Sequence, residues 1–385
     1  MKILIAGYPY VRENFLRTFD SITDRCIFLL PKKWKAKGGK VVFTPPVRKN
    51  VKTTTALFFH SHYPIIGGVL KGWMPSFPLW LWKYRKVVNI VYSPLEPILL
   101  STLYQGFWSK LMGKKHIIFT WENVPYSKFK GINGLIKNII LKANILFCDG
   151  FICGNQKAKG VLSRYTNLPM EVIPLSGLDT NFFSPDKRDM SLREGYHLEG
   201  KFIFSFIGAI DYRKGIHIIL DALKGIIADN KNVYLIIAGS GEYELEIKNK
   251  ISELGLEDKI TIIPWVDSSA VRKILSVTDV FLYPSISHKG WEEQFGYSIA
   301  EAMSMAVPVI STNSGSISDL IEGDKSGMLI ESGSIPALEH CMRLLMSDDS
   351  LRNNLTQAAR RVIMEKYSLE SVARQYYKFF SYYGF

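Results

Sequence analysis

Short apolar runs alternate with segments of helical period along this chain, most clearly in its C-terminal half. Residues 202–208, Phe-Ile-Phe-Ser-Phe-Ile-Gly, read as a buried strand, and apolar positions from 215 to 227 recur at helical spacing. Residues 233–239 predict the next strand and 244–254 the next helix. The runs 260–263, 280–283 and 307–310 are short and apolar, each reached after a helical segment. The first half repeats the pattern less cleanly, with strands predicted at 56–59, 87–91, 117–120 and 150–153. Residues 1–7 read as a first buried strand, too short in apolar length for a signal peptide. Such alternation means parallel sheets covered on both faces.

A turn-rich link near Pro174 to Pro185 divides the pattern. It predicts an α/β protein of two Rossmann-like domains facing a central cleft, at 1–183 and 184–366. Residues 367–385 form a closing helix with aromatic residues on a helical period, expected to pack back on the N-terminal domain. Ligands of such sheets lie at the C-terminal ends of the strands.

Charge changes the picture. The 385 residues carry a net +13, but 26 Lys and Arg stand against 8 Asp and Glu up to Pro185, and 22 against 27 after it. The first half therefore expects an anionic partner, nucleic acid or an acidic membrane surface. The stretch 67–84 carries Trp73, Trp80 and Trp82 with Lys71 and Lys83, and Arg85 and Lys86 follow. Tryptophan with lysine suits the headgroup region of a membrane, whereas Gly and Pro exclude a spanning helix. The other reading of this stretch is a packed loop. No helix-turn-helix, zinc or RNA-recognition signature supports nucleic acid. Cys26, Cys148, Cys153 and Cys341 have no metal-ligand spacing or paired framework, which favours a reducing compartment. With the basic, tryptophan-rich first half, the expectation is a cytoplasmic protein, peripheral on the inner membrane face.

Candidate chemistry concentrates in Glu293-Gln294-Phe295-Gly296-Tyr297-Ser298-Ile299-Ala300-Glu301. Glu293 and Glu301 flank a Phe-Gly turn that opens a helix, so both would face one ligand. The N–H groups near Gly296 and Tyr297 are those of a helix start, which suit a phosphate. Read alone, the two carboxylates would be an acid-capped helix, and adjacent Arg213 and Lys214 a solvated turn. His60-Ser61-His62 has alternating spacing but no carboxylate or cysteine nearby, so no metal site is expected.

The run 293–310 resembles the nucleotide-diphosphate motif of family-4 glycosyltransferases, retaining enzymes of the GT-B fold. Asp211-Tyr212-Arg213-Lys214-Gly215-Ile216 is similar to that family's Lys-Gly loop, and Ala238-Gly239-Ser240-Gly241-Glu242 to its glycine turn. Gly177-Leu178-Asp179-Thr180-Asn181-Phe182-Phe183-Ser184-Pro185 resembles its interdomain signature, and Tyr367-Ser368-Leu369-Glu370 the start of its closing helix. The resemblance covers roughly 147–377; before that, only strand order agrees.

The resemblance implies a retaining glycosyltransferase of hexosyltransferase type. It would move a sugar from a UDP- or GDP-sugar to an acceptor hydroxyl, with no metal or other cofactor. Lys214 and Arg213 would meet the charge that builds on the diphosphate. Phe295, Gly296 and Tyr297 would bring the helix start to it, Glu301 would accept from the ribose hydroxyls, and Glu293 from the donor sugar. Gly7 and Gly241 would let backbone approach the nucleotide, and Val266 would line the base pocket. Three departures stand out. Ala209 occupies a position where the family often has arginine, and Glu122 or Asn123 lies where it often has histidine. Gly7-Tyr8-Pro9-Tyr10 lacks the usual paired glycines. Glu122 in that place would touch donor sugar or acceptor, or act as a base; its other reading is helix capping or domain packing. The basic, tryptophan-rich first domain makes a lipid-linked or membrane glycan the expected acceptor, on an anionic membrane surface and without nucleic acid. A GT-B sugar-nucleotide epimerase, a phosphorylase, a soluble-acceptor transferase and a basic nucleic-acid-binding protein are the alternatives. Alanine at Glu293 is expected to abolish transfer while leaving folding intact.

Overall fold

The structure is a computed structural model describing residues 2–35, 42–59, 66–264 and 267–384. The chain divides into two compact units, one of Met1–Gly177 with Tyr367–Phe385, the other of Leu178–Lys366. The division precedes the 183/184 boundary read from the sequence, because the second unit holds Phe183 and Ser184. Ser304 Oγ donates to the Phe183 carbonyl at 2.6 Å, and the Arg360 guanidinium reaches Ser184 Oγ at 3.4 Å.

The first unit is built on β1 (Lys2–Ala6), β2 (Cys26–Pro31), β3 (Val51–Thr54), β4 (Val88–Ser93), β5 (Lys115–Thr120), β6 (Gly150–Cys153) and β7 (Met170–Val172). They pair in parallel in the order β3-β2-β1-β4-β5-β6-β7. The strand predicted at 56–59 lies earlier, as β3. Val51, Thr53 and Thr54 are β-branched and pair with β2. Leu57 makes only an isolated bridge to Trp73, and Phe58 takes φ 58°, outside the extended region.

Three helices cover one face: α1 (Phe77–Tyr84), α2 (Leu100–Leu111) and α3 (Gly131–Phe147). Phe77 and Leu81 of α1 pack with Leu4, Ala6 and Val91 of the sheet, and Tyr104 and Trp108 of α2 close over them. Leu141 of α3 packs with Ile118 and Phe151. The tryptophan stretch therefore splits. Trp73 stacks on Tyr104 at 4.3 Å and Trp80 packs into the same core, so for these two the packing reading holds, while Trp82 stays 57% exposed.

The closing helix Leu369–Ser381 lies on the opposite face of this sheet. Ser368 caps it, its Oγ accepting from the Ser371 N–H at 3.2 Å. It buries Val372, Tyr376 and Phe380 against Ile3, Ile5, Phe28 and Tyr92. Burial of each large apolar ring stabilises by about 2 kcal/mol. The Tyr376 hydroxyl meets that of Tyr92 at 3.0 Å and donates to the Pro174 carbonyl at 3.2 Å, so no buried polar group is stranded there.

The second unit has β8 (Phe202–Ile207), β9 (Val233–Ala238), β10 (Ile260–Ile263), β11 (Val280–Tyr283), β12 (Val309–Thr312) and β13 (Met328–Ile330). Their parallel order is β10-β9-β8-β11-β12-β13. Helix α4 (Ile216–Asp229) follows β8, and α5 (Tyr297–Ser304) lies between β11 and β12. In each unit the order reverses beside the first strand, between β1 and β4 and between β8 and β11. That reversal opens a crevice at the strands' C-terminal ends, where doubly wound sheets bind ligands. All four cysteines are free and buried.

Candidate functional site

The two strands flanking the reversal in the second unit deliver its polar centre. After β8 the chain makes a tight turn, Tyr212–Lys214, capped by the Asp211 side chain. Gly215 then takes φ 72° and opens α4. The turn directs Lys214 inward. Its ammonium donates to Glu293 Oε2 at 2.5 Å and to the Tyr283 hydroxyl at the end of β11. The Tyr283 hydroxyl in turn donates to Glu293 Oε2 at 2.9 Å. Lys214 and Glu293 are both buried. Burial lowers the lysine's pKa from its usual range, and the carboxylate of Glu293 opposes that shift. Burial, and then Glu293, push the Tyr283 hydroxyl well up, so it stays a donor. Its ring stacks on Phe206 at 5.6 Å.

Arg213 points elsewhere in the same turn. Its Nε donates to Asp211 Oδ2 at 2.8 Å, and its guanidinium lies 3.5 Å over the Trp291 ring. Lys214 Nζ lies 5.0 Å from the same ring. The Glu293 backbone is fixed from behind. Its carbonyl accepts from the Ser316 N–H at 2.9 Å. A Cβ at Gly315, which has φ 62°, would lie 2.0 Å from that oxygen. Only glycine gives this close approach.

Three residues beyond Glu293, Gly296 takes φ 86° and caps α5. The start of α5 carries N–H groups with no acceptor inside the helix. Phe295 is buried, 4.7 Å ring to ring from Tyr297, and anchors this start. Ser298 in the first turn reaches the Tyr283 hydroxyl. Glu301 follows at i+3, on the same side of the helix. Its carboxyl accepts no hydrogen bond from the described residues. Glu301 keeps partial solvent access, yet protein surrounds its carboxyl enough that burial pushes it up to about 8. The structure thus brings Lys214, Glu293, Gly296, Tyr297 and Glu301 to one end of the β8–β11 pair, with Arg213 at the rim.

The glycine turn has a packing cause. A Cβ at Gly241 would lie 2.0 Å from the Ile210 carbonyl, so residues 239–241 lie tightly on the loop after β8. The Ile210 N–H donates to the Ser240 carbonyl at 3.1 Å across that contact. Val266, Trp265, His60 and His62 lie outside the described residues. Among the described residues, no group of three or more His, Cys, Asp or Glu is arranged to hold a metal.

In the first unit, Gly7 ends β1 with Pro94 against it; a Cβ there would lie 2.7 Å from Pro94 Cγ. Packing against β4's loop accounts for this glycine. Glu122 follows β5 and accepts from Lys128 Nζ at 2.6 Å and from the Val124 N–H at 3.2 Å. Beside it stands Glu96, which sequence reasoning missed. Glu96 accepts from Thr120 Oγ1 at 2.6 Å and from the Trp121 N–H at 2.8 Å. Burial pushes its carboxyl up to about 7 against those two hydrogen bonds, and Glu122 adds to the rise. The available signal was Pro94-Leu95-Glu96-Pro97, an acid between prolines just after a strand beside the reversal.

Residues 190–362, all in the second unit, match the family model described as glycosyl transferases group 1. The chain is 25% identical over 322 residues to an alpha-D-kanosaminyltransferase of Streptomyces kanamyceticus, covering 80% of this chain and 82% of that protein. It is 30% identical over 187 residues to the capsular polysaccharide biosynthesis glycosyltransferase CapM of Staphylococcus aureus, 47% of each chain. The crystal structure of Anabaena Alr3699/HepE in complex with UDP matches 99% of this chain and 100% of that one, at TM-score 0.77 and 17% identity, which establishes a common fold. The family match falls on the unit that holds the Lys214–Glu293 cluster, so the second unit is similar to the glycosyl transferases group 1, and the chain as a whole has the GT-B fold.

Proposed function

We propose that the protein is a family-4 retaining enzyme that transfers a hexose from a nucleotide-diphosphate sugar to an acceptor hydroxyl. The observation that carries this reading is the buried Lys214–Glu293–Tyr283 cluster set beside an α5 whose Glu301 carboxyl has no hydrogen-bond partner among the described residues. An ammonium has three N–H donors. Glu293 and Tyr283 take two, which leaves one for a diphosphate oxygen. Negative charge grows on the diphosphate as the anomeric bond breaks, so Lys214, Arg213 and the N–H groups at Gly296 and Tyr297 lower that barrier. A diphosphate leaves without a proton, and the two glutamates are therefore no hydrolase acid/base pair. Glu301 accepts from the ribose hydroxyls. Glu293, held rigid by Lys214 and Tyr283, orients the donor sugar. Attack from the leaving-group side retains configuration, and no metal or further cofactor takes part.

The second unit holds the donor in this reading, and UDP or GDP both fit its chemistry. The UDP bound by the Anabaena protein favours a uridine donor. Glu122, with Glu96 beside it, stands on the acceptor side in the first unit, where the resemblance places a histidine. The acceptor is a lipid-linked or membrane glycan, met at the cytoplasmic membrane surface. Relatedness to a capsular polysaccharide enzyme favours an envelope glycan. The test is transfer from a panel of UDP- and GDP-sugars into a membrane lipid extract. One donor is expected to give a glycolipid product with retained anomeric configuration. An epimerised sugar nucleotide with no glycosylated product, or no turnover with any donor, would overturn it.

A further inference from the structure

The α1–α2–α3 face of the first unit carries apolar side chains that its own core does not use. On α3, Ile132, Leu135, Ile139 and Leu146 are exposed, the last by 76%. Their spacing of 3, 4 and 7 residues lines them along one stripe of the helix. The opposite stripe is fully used: Ile140 and Leu141 are buried, and Asn144 Nδ2 donates to the Pro97 and Leu99 carbonyls at 2.8 and 3.2 Å. The outward stripe is therefore surplus to the packing of α3 on its own sheet. On neighbouring α2, Phe107 and Leu111 are exposed one turn apart, and Phe107 lies 6.0 Å from Phe147 of α3. On α1, Leu79 and Trp82 are exposed.

Charge identifies what covers this face. Between residues 77 and 147 ten Lys and Arg stand against two acidic residues, Glu96 and Glu122. Glu122 is held by Lys128, and Glu96 sits among its hydrogen bonds at the ends of β4 and β5. Helices α1, α2 and α3 contain no acidic residue. Lys142 shares the outward side of α3, and the Arg85 guanidinium lies 3.9 Å over the exposed Trp82 ring. A protein partner's apolar patch would meet stranded lysines here. An anionic bilayer satisfies both halves at once, taking the apolar stripe into its headgroup boundary and the cations into its surface potential. No described helix is long and apolar enough to cross a membrane, so the face lies on the bilayer without spanning it.

We propose that the outward face of α3, extended by α2 and α1, is the surface by which this protein lies on an anionic lipid bilayer. It deepens the proposed membrane acceptor and rests on that reading for its purpose. It also relocates the membrane contact expected at Trp73 and Trp80. Lys128 and Phe129 lie just before the Lys130 that precedes α3, and Lys137 Nζ lies 3.5 Å over the Phe129 ring. The stripe thus begins beside the Glu122–Lys128 pair, where an acceptor headgroup would enter from the bilayer.

The test is flotation of the full chain with vesicles of phosphatidylcholine alone, or with a third of it replaced by phosphatidylglycerol. It needs neither donor nor acceptor, so its failure is distinct from failure of the transfer assay. The wild type is expected to float only with the anionic vesicles and to be released by salt. Leu135→Glu with Ile139→Glu is expected to lower partition more than tenfold, with the melting temperature unchanged because both sites are exposed. Lys142→Gln, which leaves the apolar stripe intact, is expected to lower it roughly fivefold. Absence of flotation, or flotation indifferent to all three changes, would overturn the assignment. So would a concentration-dependent dimer abolished by the double substitution, which would make a second copy the occupant.

Discussion

The Lys214 ammonium lies 2.5 Å from the Glu293 carboxylate inside the second unit, with both side chains buried. Breaking a buried pair by removing one partner strands the other charge, at a cost of about 3–5 kcal/mol. Glu293→Ala therefore destabilises the fold, contrary to the expectation from sequence that folding stays intact. Glu293→Gln keeps the shape and an acceptor for Tyr283 and Lys214. Its stability loss is expected to be smaller, about 1–3 kcal/mol. Its turnover is expected to fall about a hundredfold, since the donor sugar loses a charged acceptor. Urea unfolding separates the two variants, and parental turnover in Glu293→Gln would remove Glu293 from the proposed chemistry.

Glu301 gives a proton-linked prediction. Burial holds its carboxyl at about 8 in the free protein, against an ordinary 4.5, so at pH 7 it is largely protonated. Hydroxyls of a bound ribose would donate to the ionised form and pull that value down. Nucleotide binding at pH 7 should then release close to one proton, and affinity should rise with pH until about 8. Calorimetry of UDP and GDP binding in buffers of different ionisation enthalpy measures the release. Glu301→Gln should abolish it; an unchanged proton count in that variant would sever Glu301 from the ribose.

Gly315 tests how strictly the Glu293 backbone is positioned. Its φ of 62° and the 2.0 Å approach of a Cβ to the Glu293 carbonyl oxygen leave no room for a side chain. Gly315→Ala should cost more than the roughly 1 kcal/mol of a left-handed alanine alone, because the loop carrying Glu293 must move. Transfer should fall with it, while the first unit's unfolding transition stays where it was. A variant with parental stability and turnover would show that the loop accommodates the methyl.

Much of this site was legible because it is local. Glu293, Gly296, Tyr297 and Glu301 sit within one turn and one helix, so their spacing alone arranges them, and β8, β9, β10 and β11 are apolar runs that only a covered parallel sheet needs. The contact between Lys214 and Glu293 was not legible, being made by two loops 79 positions apart. Glu96 escaped because its setting is tertiary: Thr120 and Trp121 come to it from the next strand. The tryptophans show the converse error. Composition left Trp73, Trp80 and Trp82 together between a membrane contact and a packed loop, while helix geometry turns Trp80 inward and Trp82 outward. The α3 stripe is not legible from periodicity, since a sequence does not say which apolar side of a helix finds a partner.

Glu96 makes the first unit's stability depend on pH in a direction opposite to the usual carboxylate. Its folded value of about 7 lies above the ordinary 4.5, so between those values the folded chain holds a proton that the unfolded chain gives up. Stability must then fall as pH rises from about 4.5 to 7, by up to about 1.4 kcal/mol per pH unit. The penalty is complete above pH 7, where ionised Glu96 faces Glu122 with Lys128 already committed to its neighbour. Glu96→Gln keeps one oxygen for the Trp121 N–H and turns its amide N–H toward the Thr120 oxygen, as the protonated carboxyl would, but has no proton to lose. Its unfolding free energy should exceed the parent's at pH 8 and should lack the parent's decline between pH 5 and 7. Chemical unfolding at pH 5, 6, 7 and 8, followed by tryptophan fluorescence, measures both slopes. Parallel pH profiles for parent and variant would mean that Glu96 is ionised in the folded protein throughout that range.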